Sequence, residues 1–272
     1  MSTEIVVITG GASGIGKALV GLYLARNAIV CALDLNQNQL EELRAEYAVH
    51  AGRLKIYTVD VCNQEQLLAT AKAIEESAGK PTVWINNAGI TVLGPFEKTS
   101  DREFDQVMRV DFYGVVYGTR AALSVMREPE RGVIVNVASV SGLVALPYMA
   151  SYTAAKHAVV GFTRSLQEEK RFELSPLRVV LVAPGFIKTA IMNPQNGITF
   201  PSWMQWMVEE PATAAAEIVR GLDKGLDEIV PTLNGKLFVG ANRLIPRILR
   251  RSSRMMVASN WKELIGLNPI RK

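Results

Sequence analysis

The chain has 272 residues, 49% of them hydrophobic and 21% charged, and its formal net charge is +4. This balance excludes an intrinsically disordered chain, and the length suits one α/β domain with its substrate loops. No stretch reaches the roughly 18 consecutive apolar residues of a membrane span, and the N-terminal MSTEIVVITGG lacks the basic start of a signal peptide. We therefore expect a globular protein of the cytoplasm.

Short apolar runs alternate with amphipathic segments along the chain. The apolar, β-branched runs predict strands, and the segments with helical spacing predict helices that cross over from one strand to the next. Strands covered on both faces form a parallel sheet, so the sequence predicts a doubly wound, Rossmann-type α/β fold: a three-layer α/β/α sandwich in a single domain. The predicted strands are at residues 4–10, 28–36, 54–61, 81–89, 132–140, 177–185 and 228–233, and the predicted helices at 14–26, 36–49, 63–79, 100–126 and 151–174.

A glycine-rich turn, TGGASGIG at residues 9–16, lies directly after the first predicted strand and opens the first predicted helix. Glycines allow a tight turn and a close approach of the backbone, and a helix N-terminus favours a negatively charged group. Gly10, Gly14 and Gly16 are therefore candidates for binding the pyrophosphate of a dinucleotide. The alternative is a tight strand-to-helix turn that binds nothing.

Asp34 ends the second predicted strand, 18 residues after Gly16. A carboxylate at this position can accept hydrogen bonds from both ribose hydroxyls of a dinucleotide, and it repels a 2′-phosphate. Ser13 stands before Gly14 and Leu35 follows Asp34, so no basic side chain is placed to hold such a phosphate. These residues favour NAD over NADP. The alternative role for Asp34 is that of a helix N-cap.

Tyr152 and Lys156 are four residues apart in SYTAAK, which places them on one face of a predicted helix. A neighbouring ammonium favours the phenolate, so Tyr152 is a candidate general acid and base. Ser139 ends the run VIVNVAS, 13 residues before Tyr152, at the edge where open α/β sheets place ligands. Its hydroxyl can hydrogen-bond a substrate oxygen. Without Ser139, the pair would be read as a half-exposed tyrosine beside a solvated lysine.

Together these motifs resemble the short-chain dehydrogenase/reductase family over residues 4 to about 190. Ser139, Tyr152 and Lys156 match the family's catalytic residues in order and spacing. The resemblance implies that Tyr152 exchanges a proton with the substrate oxygen, Ser139 orients that oxygen, and Lys156 lowers the pKa of Tyr152 and holds the nicotinamide ribose. It also implies a set of cofactor-binding residues: Gly10, Ser13, Gly14, Ile15 and Gly16 in the turn, Asp34 and Leu35, Asp60 and Val61 at the adenine, Asn87, Ala88 and Gly89 in NNAG, Tyr152 and Lys156, and Pro184, Gly185, Ile187 and Thr189 in PGFIKT.

One position departs from this resemblance. The family carries V-N-x-x-G in the helix before Ser139, and this chain has VDFYG at residues 110–114, so Asp111 replaces the asparagine of a water-linked proton relay to the lysine. The family's asparagine acts largely through its backbone carbonyl, which any residue supplies. A carboxylate near Lys156 would favour the ammonium but weaken its pull on Tyr152. We hold two hypotheses open: Asp111 preserves the relay and shifts its pH dependence, or it merely satisfies nearby backbone donors.

Residues 186–210, FIKTAIMNPQNGITFPSWMQWMVEE, correspond to the part of the family that covers the substrate. Large apolar side chains are frequent there, which favours a bulky lipophilic alcohol or ketone such as a steroid, a retinoid-like or a long-chain compound. The alternative is that these side chains are ordinary core beneath a loop. They are Phe186, Ile191, Met192, Phe200, Trp203, Met204, Trp206 and Met207.

The domain division that we expect is a catalytic domain at 1–235 and a C-terminal extension at 236–272 packed on it. Residues 243–254, RLIPRILRRSSR, hold five arginines and no acid. This segment is either a peripheral contact with an anionic membrane surface or a basic helix with its arginines in solvent. Nothing beyond the charge indicates nucleic-acid binding. By resemblance, a homodimer or homotetramer would form through the helices at 100–126 and 151–174.

Cys31 and Cys62 lie in apolar, strand-like contexts and form no metal-spaced pair, so we expect buried free thiols. His50 and His157 are isolated, and no metal site is expected.

Two functions are compatible with these residues. One is an NAD-dependent alcohol dehydrogenase or ketoreductase for a bulky lipophilic substrate. The other is a non-catalytic or weakly catalytic dinucleotide-binding sensor or scaffold, in which Asp111 marks the loss of activity. The complete serine, tyrosine and lysine set favours the enzyme.

Overall fold

The computed structural model describes residues 3–126, 132–188 and 208–244. In these parts of the chain, one seven-stranded sheet forms, and all of its neighbouring strands run parallel. The strands are β1 (Ile5–Thr9), β2 (Ile29–Asp34), β3 (Leu54–Thr58), β4 (Val83–Asn86), β5 (Val133–Val137), β6 (Arg178–Val182) and β7 (Glu228–Ile229). The doubly wound parallel sheet expected from the sequence is therefore confirmed.

Helices cover both faces of the sheet. They are α1 (Gly14–Ala25), α2 (Gln37–Glu46), α3 (Gln64–Ala78), α4 (Asp101–Met108), α5 (Gly114–Val125), α6 (Ala150–Phe172), α7 (Pro211–Asp223) and α8 (Leu233–Leu244). On one face α1, α2 and α7 pack against the sheet, and on the other α3, α5 and α6 do so. A turn of π-helix at Arg109–Tyr113 separates α4 from α5.

Strand β1 shows why the sheet needs helices on both sides. All five of its side chains are buried. Val6 and Ile8 belong to the core beneath α1, while Val7 belongs to the core beneath α3 and α5. Because successive side chains of a strand point to opposite faces, such a continuous apolar run is stable only between two helical layers.

The strand order is β3-β2-β1-β4-β5-β6-β7, so the direction of winding reverses between β1 and β4. In an open α/β sheet, this reversal leaves a crevice outside the carboxyl ends of the two strands, and ligands bind there. The glycine turn follows β1, and NNAG begins at the end of β4. The topology therefore brings both motifs to one crevice.

Polar side chains cross the centre of the sheet in a fully buried network. The Asn86 side-chain amide donates to Asn136 Oδ1 at 2.9 Å and to Thr119 Oγ1 at 3.2 Å. Asn136 in turn donates to Thr163 Oγ1 at 3.1 Å. Through Thr119 the network joins β4 and β5 to α5, and through Thr163 it joins them to α6. Gly118 leaves it room, since a Cβ there would lie 2.0 Å from Asn86 Oδ1.

Several predicted elements differ from the structure in their bounds. The last strand covers Glu228–Ile229 rather than 228–233, because Pro231 has no N–H for a ladder and the chain then enters α8. The strands predicted to end at residues 61, 89, 140 and 185 each end three residues earlier, at Thr58, Asn86, Val137 and Val182. The single helix expected over 100–126 is interrupted by the π-helical turn.

The cysteine prediction was half wrong. Cys31 is buried in β2, but Cys62 is only half-buried, because it lies in the turn after β3 and not inside a strand. Both are free thiols. Within the described ranges, no helix combines the length and the apolar character needed to cross a bilayer.

Candidate active site

A cavity of about 470 Å³ opens at the carboxyl ends of β1, β4, β5 and β6. It brings together motifs that are as much as 175 residues apart, from Gly10 to Gly185. The residues that line it are Gly10, Ser13, Gly14, Ile15, Asn87, Ala88, Gly89, Ile90, Thr91, Leu93, Val137, Ala138, Ser139, Val140, Ser141, Met149, Tyr152, Lys156, Pro184, Gly185, Phe186 and Ile187.

The glycine turn has the shape that a dinucleotide phosphate requires. Gly10 and Gly14 have φ values of +64° and +52°, which other residues rarely adopt. A Cβ on Gly16 would lie 2.0 Å from the carbonyl oxygen of Gly10, so only glycine allows this packing. Ser13, the N-cap of α1, makes no side-chain capping bond, and the first turn of α1 carries no acid. The turn therefore fits an anionic group at the helix N-terminus.

Asp34 lies beside this turn at the end of β2. One carboxylate oxygen accepts a hydrogen bond from the Ala12 N–H at 3.1 Å, and the other accepts from the Asn36 N–H at 3.1 Å. The N-cap of α2 is Asn36, whose side chain accepts from Gln39, so the alternative role of Asp34 as a helix cap is wrong. The carboxylate is instead fixed against the glycine turn.

Ser139 and Tyr152 lie beside each other in the cavity wall, close enough for their side chains to hydrogen-bond. Ser139 follows β5 and its hydroxyl donates to the Pro184 carbonyl at 3.4 Å, while it accepts from the Ser141 N–H at 3.1 Å. Tyr152 lies in the first turn of α6, and a hydrogen bond from Ser139 acts to lower its pKa. The two hydroxyl groups therefore form one polar spot in a mostly apolar cavity.

Lys156 lies one turn further along α6 and is almost completely buried. Its ammonium donates to the Val137 carbonyl at 3.2 Å and lies 5.5 Å from the centre of the Tyr152 ring. It also forms an ion pair with Asp111 Oδ2 at 3.1 Å. Because neither partner reaches solvent, the pair is little screened.

Asp111 lies in the π-helical turn and is 0% exposed. Its Oδ1 accepts a hydrogen bond from the Ile90 N–H at 2.7 Å, and its Oδ2 faces Lys156. A Cβ on Gly89 would lie 3.2 Å from Oδ2 and 3.4 Å from the ammonium, so Gly89 gives this pair its space. Asp111 therefore contacts both a backbone donor and the catalytic lysine of the resemblance.

The charges of this cluster depend on one another. Burial raises the pKa of Asp111, and Lys156 and the Ile90 hydrogen bond offset this only in part. Burial acts to lower the pKa of Lys156, but Asp111 and Tyr152 together outweigh it and the pKa is raised. Burial also raises the pKa of Tyr152, which Lys156 opposes and Asp111 reinforces. The carboxylate thus works against the pull of the lysine on the phenol.

Some predicted residues lie outside the cavity wall. Gly16 supports the turn from behind, and Leu35 is 69% exposed beside Asp34. Asp60 lines a separate hollow near Cys62 and Arg109, and Val61 packs next to Gly114. Thr189 and all of residues 245–272 fall outside the described residues. The same is true of seven apolar residues of the substrate segment: Ile191, Met192, Phe200, Trp203, Met204, Trp206 and Met207.

The structure adds lining residues that the motifs did not single out, among them Thr91, Leu93, Ser141 and Met149. Thr91 and Leu93 continue the chain directly after NNAG, and Ser141 lies two residues after Ser139, so closeness to a motif was the available signal. The Thr91 hydroxyl is buried without a hydrogen-bond partner among the described residues. The isolated histidines stay apart from the cavity, and in the described ranges no three acidic, histidine or cysteine side chains gather as metal ligands would.

The sequence matches a known family. The model of a family described as short chain dehydrogenase matches residues 4–197. SadH of Mycobacterium tuberculosis is 34% identical over 264 residues, which cover 94% of each chain. A 3beta-hydroxysteroid dehydrogenase 2 of Eggerthella lenta is 36% identical over 193 residues, covering 70% of this chain and 74% of its own.

Solved structures show the same fold. A short chain dehydrogenase/reductase from Burkholderia phymatum in complex with NAD superposes with a TM-score of 0.80 at 24% identity, covering 89% of this chain and 93% of its own. ElxO with NADP bound superposes with a TM-score of 0.75 at 26% identity, covering 85% and 95%.

Proposed function

Because this chain belongs to the short-chain dehydrogenase family, we propose that it is an NAD-dependent enzyme that transfers hydride between nicotinamide and a secondary alcohol or ketone. Membership makes the chain an oxidoreductase of a family that binds nicotinamide cofactors. The observation that carries the finer proposal is the single cavity that joins the glycine turn to Ser139, Tyr152 and Lys156.

The residues of the cavity divide the chemistry among them. A bound oxidised nicotinamide would supply the hydride acceptor. Tyr152 removes the proton of the substrate hydroxyl during oxidation and returns it during reduction. Ser139 gives up its bond to the Pro184 carbonyl and donates to the substrate oxygen instead. Lys156 favours the phenolate of Tyr152 and offers its remaining donor to the ribose.

Asp111 is proposed to preserve this arrangement and to set its pH dependence. The Lys156 contact supports that role, while the Ile90 hydrogen bond supports the simpler role of satisfying a backbone donor. The two roles differ in one respect: only the first depends on the negative charge, because an asparagine oxygen can also accept from Ile90.

NAD is proposed over NADP because of the environment of Asp34. Its carboxylate is fixed by Ala12 and Asn36 at the place where a 2′-phosphate would bring further negative charge. Lys17, the basic residue of the first helix turns, pairs with Glu46 on α2 at 2.6 Å. No arginine or lysine other than Lys156 is found among the lining residues of the described cavity.

A neutral, bulky and lipophilic substrate is proposed from the walls of the cavity. Ile90, Leu93, Met149 and Phe186 line it, and no arginine is present among its described residues to bind a carboxylate. The similarity to a hydroxysteroid dehydrogenase supports this class. The finer choice among steroid, retinoid-like and long-chain compounds is left to the experiment.

Assembly and location are proposed as well. Tyr113 is 45% exposed and lies against Phe112 and Tyr117, with ring centroids 5.3 Å and 6.0 Å away. This exposed aromatic surface suits a homodimer or homotetramer through α5 and α6. The free cysteines favour the cytoplasm. The division into 1–235 and 236–272 and the peripheral membrane contact also remain proposals.

The test is NAD+ reduction by the purified protein on a panel of steroid, retinol-like and long-chain secondary alcohols. The Tyr152→Phe variant should lose at least about 10²-fold in turnover and still bind NADH. His157→Ala, on an exposed face of the same helix, is the matched control and should behave like the wild type. Tight NADH binding without tyrosine-dependent turnover of any alcohol or ketone would instead favour the sensor or scaffold.

A further inference from the structure

The loop after β6 is held by side chains from the start of α8. The Gly185 N–H donates to Thr232 Oγ1 at 2.9 Å. The Phe186 N–H donates to Asn234 Oδ1 at 3.3 Å, and the Asn234 amide donates back to the Phe186 carbonyl at 3.4 Å. Thr232 is 0% exposed and Asn234 is 7% exposed. Buried side chains thus satisfy the backbone of this loop across nearly fifty residues of sequence.

The backbone of residue 185 lies so close to Thr232 and Asn234 that no side chain fits at this position. A Cβ on Gly185 would lie 1.9 Å from Asn234 Oδ1 and 2.6 Å from Thr232 Oγ1. The glycine of PGFIKT is therefore required by this contact with α8, and its backbone angles give no separate reason, since Gly185 is absent from the glycines with positive φ.

Glu209 connects the loop after β6 to the first turn of α8, through its backbone on one side and its carboxylate on the other. Its N–H donates to the Phe186 carbonyl at 3.0 Å, and its carbonyl accepts from the Lys188 N–H at 2.9 Å. Its carboxylate accepts from the N–H groups of Leu233 at 2.8 Å and Asn234 at 3.4 Å, in the first turn of α8. A negative charge is favourable at this end of a helix.

We propose that Thr232, Asn234 and Glu209, together a polar clamp, are positioning residues for the nicotinamide end of the cavity. Phe186 and Ile187, which the clamp holds, are both lining residues, and Ile187 is paired with Glu209. The proposal rests on the proposed function, because the clamp can position a nicotinamide only if the cavity binds one. Small displacements of groups around a reacting centre slow a reaction strongly, so the wall opposite Tyr152 must be fixed.

The clamp lies at the nicotinamide end of the cofactor site, so its loss should affect the binding of a ligand that carries a nicotinamide and spare one that does not. Gly10, Gly14 and Asp34 lie at the phosphate and adenosine end, and within the described part of the chain no hydrogen bond joins them to Thr232, Asn234 or Glu209. A variant of the clamp should therefore weaken binding of NADH but leave binding of ADP-ribose, which lacks the nicotinamide, unchanged. A general loss of structure would weaken both.

The experiment compares Thr232→Val with Thr232→Ser in the full chain without ligand. Valine keeps the shape and removes the acceptor, while serine keeps the hydroxyl. Hydrogen exchange of the Gly185 amide should become about tenfold faster or more in Thr232→Val and stay near wild type in Thr232→Ser. NADH, but not ADP-ribose, should bind several-fold more weakly to Thr232→Val.

Glu209→Ala is the second variant, in case Thr232→Val does not fold, and Glu210→Ala is its control. Glu210 is exposed and pairs with Lys188 at 3.2 Å without touching α8. Only Glu209→Ala should speed exchange at Leu233 and Asn234 and weaken NADH.

Unchanged exchange and NADH binding in both clamp variants would overturn the inference, and so would equal weakening of NADH and ADP-ribose. A wild-type protein that binds neither NADH nor ADP-ribose would contradict the proposed function, and with it the inference that rests on it. Binding of both ligands without turnover would leave hydrogen exchange and ligand binding as valid measurements of the clamp.

Discussion

Asp34 and Asp111 lie at the two ends of the site and are held in opposite ways. Asp34 accepts from two neutral backbone N–H groups and stays half-buried at the end of β2. Asp111 is fully buried, and one of its oxygens faces a charged lysine. A carboxylate fixed by the backbone keeps lone pairs for a ligand, whereas one paired with a lysine alters the charges of its neighbours. The first arrangement suits recognition and the second suits control of a proton.

The largest expected effect comes from breaking the buried pair. Lys156→Met should reduce turnover by at least about 10²-fold and lower the free energy of unfolding by about 3–5 kcal/mol, because the buried Asp111 loses its oppositely charged partner. The double variant Asp111→Asn/Lys156→Met should recover most of the stability but none of the activity. Urea denaturation measures the free energy of unfolding. A double variant that is no more stable than Lys156→Met alone would contradict the explanation that the stability is lost through the buried charge of Asp111.

The loss of stability in Lys156→Met should depend on pH. Burial raises the pKa of Asp111, and the variant removes the lysine that opposes this. A carboxyl group whose pKa is raised by folding contributes stability below its unfolded pKa and loses it as the pH rises through the folded pKa. The deficit relative to wild type should therefore be greatest near neutral pH and shrink in acid, as thermal melts across that range would show.

A smaller effect is expected at the other end of the site. Asp34→Ser combined with Leu35→Arg removes the repelling charge and adds a phosphate donor, so the ratio of kcat/KM for NADP over NAD should rise by roughly 10²-fold. Leu35→Arg alone, with Asp34 in place, is the control and should change the ratio little. Stability should be unaffected, since Leu35 is 69% exposed. A ratio that stays at the wild-type value would show that Asp34 does not set the preference.

The smallest expected effect separates the two roles of Asp111. In the proposed mechanism, alcohol oxidation needs the Tyr152 phenolate, and Asp111 raises the pKa of that phenol. Asp111→Asn removes the charge and keeps an acceptor for Ile90, so the acid limb of the kcat/KM profile should move to lower pH. A profile that does not move would leave Asp111 with the structural role alone.

Much of the candidate site could be predicted from the sequence. The glycine turn, Asp34, Ser139 and the Tyr152–Lys156 pair follow local patterns, because each lies at a strand end or on one helix face. The parallel sheet gathers strand ends at one edge, so the site follows from the fold. Asp111 also stands in the sequence where the family has an asparagine, although only the structure shows its 3.1 Å contact with Lys156.

The remaining features arise from contacts between distant segments. Thr232 and Asn234 satisfy the backbone of residues 185 and 186, and no local pattern in PTLNGK indicates such partners. The π-helical turn at Arg109–Tyr113 was not predicted, because residues 100–126 were read as one continuous helix and π-helical turns are rare. The half-buried state of Cys62 was mispredicted because VDVCN reads as a strand, while pairing with β2 stops at Thr58.

The strand order also determines how the chain can fold as it leaves the ribosome. β1 finds one neighbour, β2, within about 25 residues, but its other neighbour, β4, pairs through Val83, Trp84 and Ile85 and emerges only later. At about 5–20 residues per second, several seconds of synthesis separate the two pairings. During that interval β1, whose five side chains are all buried in the finished sheet, has an open edge, which nascent-chain chaperones would have reason to cover.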